Sequence, residues 1–299
     1  LVQLAATDET GQTHPEAIKA AAAMELTQAF LLIHDDIMDR DETRRGERSL
    51  YAQYQSVGVS ERVSQPDHFG ISLGICAGDV ASFLATELLT DIDTDASTQQ
   101  RMIGLYSREI AHVGLAQMGD LSNGAQNGPV TAAEIEAVYR HKTGRYTFSL
   151  PLMLGALVRG CAEEELAALS RFGELAGIAF QLKDDELGLL ADADTLGKPI
   201  GSDIVENKKT LHRLFLFDAA TQSERAHLEG LFGAESVSQE DVDWVRTLLE
   251  HYRVTEQVQE TMQRYGEEAS QLLKTLPGLA ESSRKSLREL LHYNAIRDR

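Results

Sequence analysis

The chain is poor in cysteine, proline, tryptophan and basic residues. Two cysteines in 299 residues, Cys76 and Cys161, exclude a multi-bridge disulfide framework and suit a reducing, intracellular setting. Six prolines and no Ser/Gly-rich linker give no place to divide the chain, so one domain over residues 1–299 is expected. Lys and Arg total 28 against 47 Asp and Glu, a formal charge of −19. That acidity repels nucleic acid and anionic lipid, and makes both poor partners in bulk. An anionic ligand then needs a local cluster of cations or a metal ion. No uninterrupted apolar run reaches the roughly 18 residues of a membrane span. The longest charge-free apolar stretch, residues 146–158, carries Pro151 and Gly155. The opening LVQLAATDET has no basic segment of the kind that begins a signal peptide, and a cytoplasmic location is expected.

What is present is helical. Apolar residues make up 42% of the chain and charged residues 25%, a globular balance. Ile18, Ala22, Leu26, Ala29, Ile33 and Ile37 recur at three and four, as do Phe172, Leu175, Ala179 and Leu182. Leu272, Leu273, Leu287, Leu290 and Leu291 continue that period around a break at Pro277-Gly278. Further breaks fall near residues 8–15, 60–67, 91–97, 123–131, 191–207 and 233–239. Thr131-x-x-Glu134 has capping-box spacing, and Ser238 is placed as an N-cap. Strand-like alternation is scarce. The expectation is one all-α domain of roughly ten helices.

Two acidic clusters carry the chemistry. Residues 31–46 read LLIHDDIMDRDETRRG. Asp35 and Asp39, four apart, share a helix face roughly opposite Ile33 and Ile37, with Gln28 two turns earlier on the same line. Carboxylates this close repel unless a cation or proton intervenes. Oxygen donors suit Mg²⁺, which takes one or two carboxylates together with waters and phosphate oxygens. Arg44 and Arg45 follow at once, with planar donors matched to phosphate. Taken alone, a DDxxD also describes a solvated acidic helix end. The second cluster lies in FGELAGIAFQLKDDELGLL, residues 172–190, where Gln181 faces Asp184 and Asp185 at three and four. Of eight lysines in the chain, four fall between Lys183 and Lys209, with Lys198 inside GKP and Lys208 inside NKKT. A charged loop after a helix is the plain alternative. Two such rims facing each other across a bundle would trap magnesium diphosphate.

These segments resemble the two aspartate-rich motifs of the trans-isoprenyl diphosphate synthases, or polyprenyl synthetases. ICAGD (residues 75–79), Gln117-x-x-Asp120 and HKTGRYTFSLPLMLGA, with Lys142 and Thr143, resemble the family's intervening motifs in order. The resemblance implies an isoprenoid synthase type I fold, an all-α bundle around a central cavity, usually homodimeric. It implies head-to-tail condensation of isopentenyl diphosphate with an allylic diphosphate, assisted by three Mg²⁺ ions. Asp35, Asp39, Asp184 and Asp185 are implied as metal sites, with Asp36 and Asp185 also in supporting positions. Arg44, Lys142, Thr143, Gln181, Lys198 and Lys208 are implied to hold the allylic diphosphate, and Gln28 and Arg45 to face isopentenyl diphosphate. His34 and His141 are expected to be structural, because the departing pyrophosphate is the family's proton acceptor. Phe30, five before Asp35, and Leu31, four before, resemble the chain-length positions of archaeal geranylgeranyl diphosphate synthases. Farnesyl or longer-chain synthesis is the near alternative. A class I terpene cyclase or a non-catalytic synthase subunit is the alternative of another kind. The sequence departs from the family in three places: Gly188 stands where many members have a third aspartate, Ser49 follows Arg48 in place of threonine, and no G-G-K-R-x-R-P precedes Leu1. An N-terminal segment is therefore expected to be missing from this sequence.

Overall fold

Side-chain hydrogen bonds at Thr131, Thr210, Thr221 and Ser238 cap four of the helix starts. The Thr131 and Ser238 hydroxyls accept from the backbone N–H groups of Glu134 and Asp241 at 3.3 and 3.2 Å, and each carboxylate accepts in return. Both are capping boxes, at the two places the sequence reading put a helix start. The computed structural model describes residues 1–125, 128, 130–190 and 201–297. Its elements run α1 (Val2–Ala5), α2 (Ala17–Asp39), a hairpin β1 (Thr43–Arg44) and β2 (Glu47–Arg48), then α3 (Leu50–Ser60), α4 (Pro66–Thr90) and α5 (Ala96–Ala125). Next come α6 (Ala132–Val138), a π-helix (Tyr139–Ser149), α7 (Leu150–Arg159) and α8 (Glu163–Leu190). The last third holds α9 (Ser202–Val205), α10 (Leu211–Ala219), α11 (Gln222–Leu231), α12 (Gln239–His251), α13 (Val254–Thr275) and α14 (Glu281–Ile296).

The charge-free stretch noted in the sequence becomes the centre of the bundle. Every residue from Leu150 to Val158 on α7 is buried, as befits a helix that is apolar all round. One core gathers α8, α10, α12 and α13 around Phe172, Leu175 and Leu182. The other joins α2, α4, α5 and α7 through Ala20, Ala23, Leu89, Met102 and Leu154. Between the π-helix and α8 the backbones nearly touch: a side chain at Gly177 would stand 2.2 Å from Cα of Gly144. That contact brings Thr143 and Tyr139 within reach of the acidic end of α8.

One expectation needs correction, and two features were not anticipated. The buried line of α2 is Ala20, Ala23, Thr27 and Phe30, whereas Ile18 is 66% exposed and Ala22 and Ala29 face outward. Small alanines pack more closely than the branched residues of the proposed stripe, so tertiary fit overrode hydrophobicity. The hairpin was not foreseen. It needs only Arg45-Gly46, both with positive φ (55° and 81°), which is the two-residue turn that matches strand twist. Finally, α4 is long and apolar enough to cross a membrane by length and composition, its charges being spaced too widely to lower the average. In the fold it packs along α2 and α3 as a bundle helix.

Candidate active site

The first acidic cluster ends α2, and the hairpin folds Arg44 back onto it. Arg44 Nε and Nη2 both lie 2.5 Å from the same oxygen, Oδ1 of Asp36, which is buried. Nη2 also lies 3.7 Å from Asp35 Oδ2 and 3.7 Å from Asp41 Oδ2. Burial works against the arginine's charge, but the carboxylates of Asp36, Asp35 and Asp41 outweigh it and push its pKa up. Asp35 is only partly covered and meets Lys142 Nζ at 3.9 Å. The pair Asp35-Asp36 therefore divides: Asp36 anchors Arg44, and Asp35 faces the interior rim. Asp39 is the last residue of α2. Arg45 sits exposed at the tip of the hairpin turn.

The π-helix supplies the opposite wall. Single π turns commonly mark functional sites, and here the whole segment from Tyr139 to Ser149 has that form. Lys142 Nζ donates to Asp120 Oδ2 at 2.9 Å. Burial would lower its pKa, but Asp120 and Asp35 raise it, so the ammonium stays charged. Thr143 Oγ1 donates to Gln181 Oε1 at 2.7 Å, and Tyr146 Oη donates to Gln28 Oε1 at 2.8 Å. Five residues singled out in the sequence, Lys142, Asp120, Thr143, Gln181 and Gln28, thus take part in contacts from the π-helix to three neighbouring helices.

The second cluster divides as the first does. Asp185 is fully buried and both its oxygens are engaged. Oδ1 accepts from Gln181 Nε2 at 3.0 Å and from Lys208 Nζ at 3.1 Å, and Oδ2 accepts from the Tyr139 hydroxyl. Burial, then Asp185 itself, pushes the Tyr139 phenol far up, so it remains a donor. Burial opposes the charge of Lys208, but Asp185, Asp203 and Asp184 hold its pKa well above the ordinary value. Asp184 is half exposed, with Arg297 Nη2 3.0 Å from its Oδ1. Gly188, the missing third aspartate, leaves space that Asp203 takes: a side chain at Gly188 would stand 2.5 Å from Asp203 Oδ2. Lys198 lies outside the described residues.

Sequence reasoning missed Tyr139, Tyr146 and Arg297. The first two lay within the quoted HKTG segment or just before it, and only helix packing shows where their hydroxyls go. Phe30 is buried, with its ring edge-on to His34 at 5.9 Å, and Leu31 is half-buried. His34 Nε2 sits 3.2 Å from Ile75 O, and His141 stacks edgewise on His112 at 5.5 Å. Both lie in packing contacts and face other helices.

Among the described residues, no three His, Cys, Asp or Glu side chains converge as a ready-made metal site. The donor chemistry nonetheless fits Mg²⁺. Each rim offers a partly exposed carboxylate, Asp35 or Asp184, and Mg²⁺ completes its shell with waters and substrate phosphates rather than with an all-protein cage. Arg44, held by Asp36, brings its Nη2 within 3.7 Å of Asp35 Oδ2, a fixed cation beside the carboxylate that would meet the metal and its phosphate. Two cavities of about 450 and 420 Å³ lie elsewhere, one beside Asn207 and Phe232, the other beside Arg246 and Glu250.

Comparison with known proteins gives the context for this arrangement. The chain is similar to a geranylgeranyl diphosphate synthase of Saccharolobus solfataricus, 28% identical over 99% of this chain and 85% of that one. It is also similar to a geranylfarnesyl diphosphate synthase of Aeropyrum pernix, 28% identical over 94% of this chain and 83% of that one. The crystal structure of a Corynebacterium glutamicum geranylgeranyl pyrophosphate synthase, complexed with isoprenyl diphosphate and magnesium, superposes with a TM-score of 0.91 at 28% identity. It covers all of this chain and 85% of that one. The polyprenyl synthetase family model matches residues 1–249. With a match of that extent, over a fold shared from end to end, the chain belongs to the polyprenyl synthetase family, and it is a prenyltransferase with trans-prenyl diphosphate synthase activity.

Proposed function

We propose that the chain condenses isopentenyl diphosphate with an allylic diphosphate to make geranylgeranyl diphosphate. The observation that carries the site assignment is the division within each aspartate pair: one carboxylate is buried as an anchor and its neighbour is left on the rim. Asp35, Asp39 and Asp184 would hold Mg²⁺, with Asp36 and Asp185 fixing the cations Arg44 and Lys208 behind them. Bound there with diphosphate, Mg²⁺ supplies Lewis-acid stabilisation of the departing pyrophosphate. Arg44, Lys142 and Lys208 present fixed positive charge to the same leaving group, while Thr143 and Gln181 orient it. The allylic C–O bond breaks, and the double bond of isopentenyl diphosphate attacks the resulting cation to form the new C–C bond. The proton then lost passes to the departed pyrophosphate. Gln28, tied to Tyr146, and Arg45 at the hairpin tip face isopentenyl diphosphate in this reading.

The twenty-carbon product rests on Phe30, a buried aromatic five residues before Asp35 with no insertion in DDIMD. A homodimer is supported by neighbouring helices α4 and α5, which expose Ile75, Val80, Phe83 and Leu84, and Leu115, Met118 and Leu121. An apolar surface of that extent suits an isologous partner face. Two free thiols suit the cytoplasm. The deciding experiment is product analysis with Mg²⁺, isopentenyl diphosphate and each of the dimethylallyl, geranyl and farnesyl diphosphates. A twenty-carbon diphosphate is expected. A shorter or longer one discards the role of Phe30 and keeps the chemistry.

A further inference from the structure

Arg297 follows the last helix, 113 residues from the aspartate it meets. Its backbone N–H closes α14 on Tyr293 O at 2.9 Å, and its side chain is only 9% exposed. The guanidinium sits over the Phe180 ring, 4.1 Å from Cζ to the ring centroid, and Nη2 donates to Phe180 O at 3.3 Å. From that seat the same Nη2 reaches Oδ1 of Asp184 at 3.0 Å. Among the described residues, Oδ2 of Asp184 has no hydrogen-bond or ion-pair partner. Phe180 and Asp184 are one helical turn apart, so the arginine grips one face of α8 at two points.

We propose that Arg297 is a positioning residue for the metal site: it holds Asp184 by one oxygen and so presents the other to Mg²⁺. This rests on the reading of Asp184 as a metal ligand. A half-exposed carboxylate samples several rotamers, and fixing it in one removes an entropy cost from metal binding. Outer partners of ligating carboxylates are typically worth 10–100-fold in metal affinity. Charge does not cancel that gain, because Mg²⁺ arrives alongside diphosphate oxygens and the guanidinium meets a mixed charge. An arginine suits the task because its rigid guanidinium, seated over the Phe180 ring and bonded to Phe180 O, can donate to Asp184 from a fixed place. The consequence is that the end of the chain is coupled to the metal site through α14 and α8.

The test is calorimetric titration of inorganic pyrophosphate into the full chain at rising Mg²⁺, which reads the half-saturating Mg²⁺ concentration without turnover. R297A is expected to raise it about 10-fold, and to add nothing further in a D184N background. An unchanged or lowered Mg²⁺ requirement in R297A overturns the proposal, since Arg297 would then be inert or a competitor of the metal. So does an additive effect in the D184N background, which would place its action elsewhere. If D184N alone leaves the requirement unchanged, the reading of Asp184 as a ligand fails first, which separates the two ideas. Should R297A not fold, R297K keeps the charge and loses the planar grip; it is expected to raise the requirement less, and no rise counts against the proposal.

Discussion

Asp185 and Asp184 are adjacent in one motif, and their asparagine substitutions should fail in different ways. Asp185 is fully buried and takes three donors, one of them the ammonium of Lys208. An asparagine there keeps the shape, removes the charge and turns one acceptor into a donor. Among the described residues, Lys208 then keeps one ion pair, with Asp203 at 3.8 Å, and the more distant charge of Asp184. Removing one partner of a buried ion pair costs about 3–5 kcal/mol. The lower end applies, because the Lys208 side chain is 27% exposed and Asp203 remains nearby. At about 2–3 °C per kcal/mol for a chain of this size, D185N should melt about 6–9 °C below the parent. Asp184 is half exposed with one neighbour, so D184N should stay within about 1 kcal/mol of the parent. It should instead raise the Mg²⁺ needed for pyrophosphate binding. The sign of the pH dependence follows from Lys208. Its folded pKa lies above the ordinary 10.5, so the pair's contribution is complete below about 10.5 and is lost as pH rises through the folded value. The melting difference between D185N and the parent should therefore be constant through the neutral range. Scanning calorimetry and pyrophosphate titration on both variants decide the matter. A D185N melting point within about 2 °C of the parent, or a D184N that is the less stable of the two, refutes the division into anchor and ligand.

Three further outcomes are expected. F30A should lengthen the product by removing a buried ring below the first cluster, and an unchanged chain length by mass analysis would sink that assignment. Replacing Phe83 and Leu115 together by Glu should convert a dimer to a monomer in sedimentation; a parent that sediments as a monomer removes the premise. Lys209 is buried, with no hydrogen-bond partner for Nζ among the described residues, and burial, then Arg213, pulls its pKa down to about 8. The cost of that charge is full below about 8 and fades as pH rises toward the unfolded value of 10.5. K209M should thus raise the denaturation midpoint at neutral pH by roughly 1 kcal/mol of stability, and by less near pH 10. Equal gains at both pH values would contradict it.

How much was legible depended on how local the cause was. The breaks near residues 60–67 and 91–97, the capping box at Thr131 and the buried face of Phe172, Leu175, Ala179 and Leu182 follow from neighbours three or four apart. The stripe proposed for α2 was misjudged, because packing against α4 and α7 selected the line of Ala20, Ala23, Thr27 and Phe30 and left Ile18 and Ala29 outside it. The hairpin escaped notice because two residues per strand carry no alternation to read.

The residues alone determined the chemistry: carboxylates in pairs at helix ends, cations just after them, and a helical period throughout. That information is carried by spacing, which the helix converts directly into a shared face. Tertiary structure decided which member of each pair is buried, that Asp203 fills the space beside Gly188, and that Arg297 reaches Asp184 across 113 residues. Burial and long-range pairing arise only when separate helices pack, and no local pattern records where a distant helix will lie.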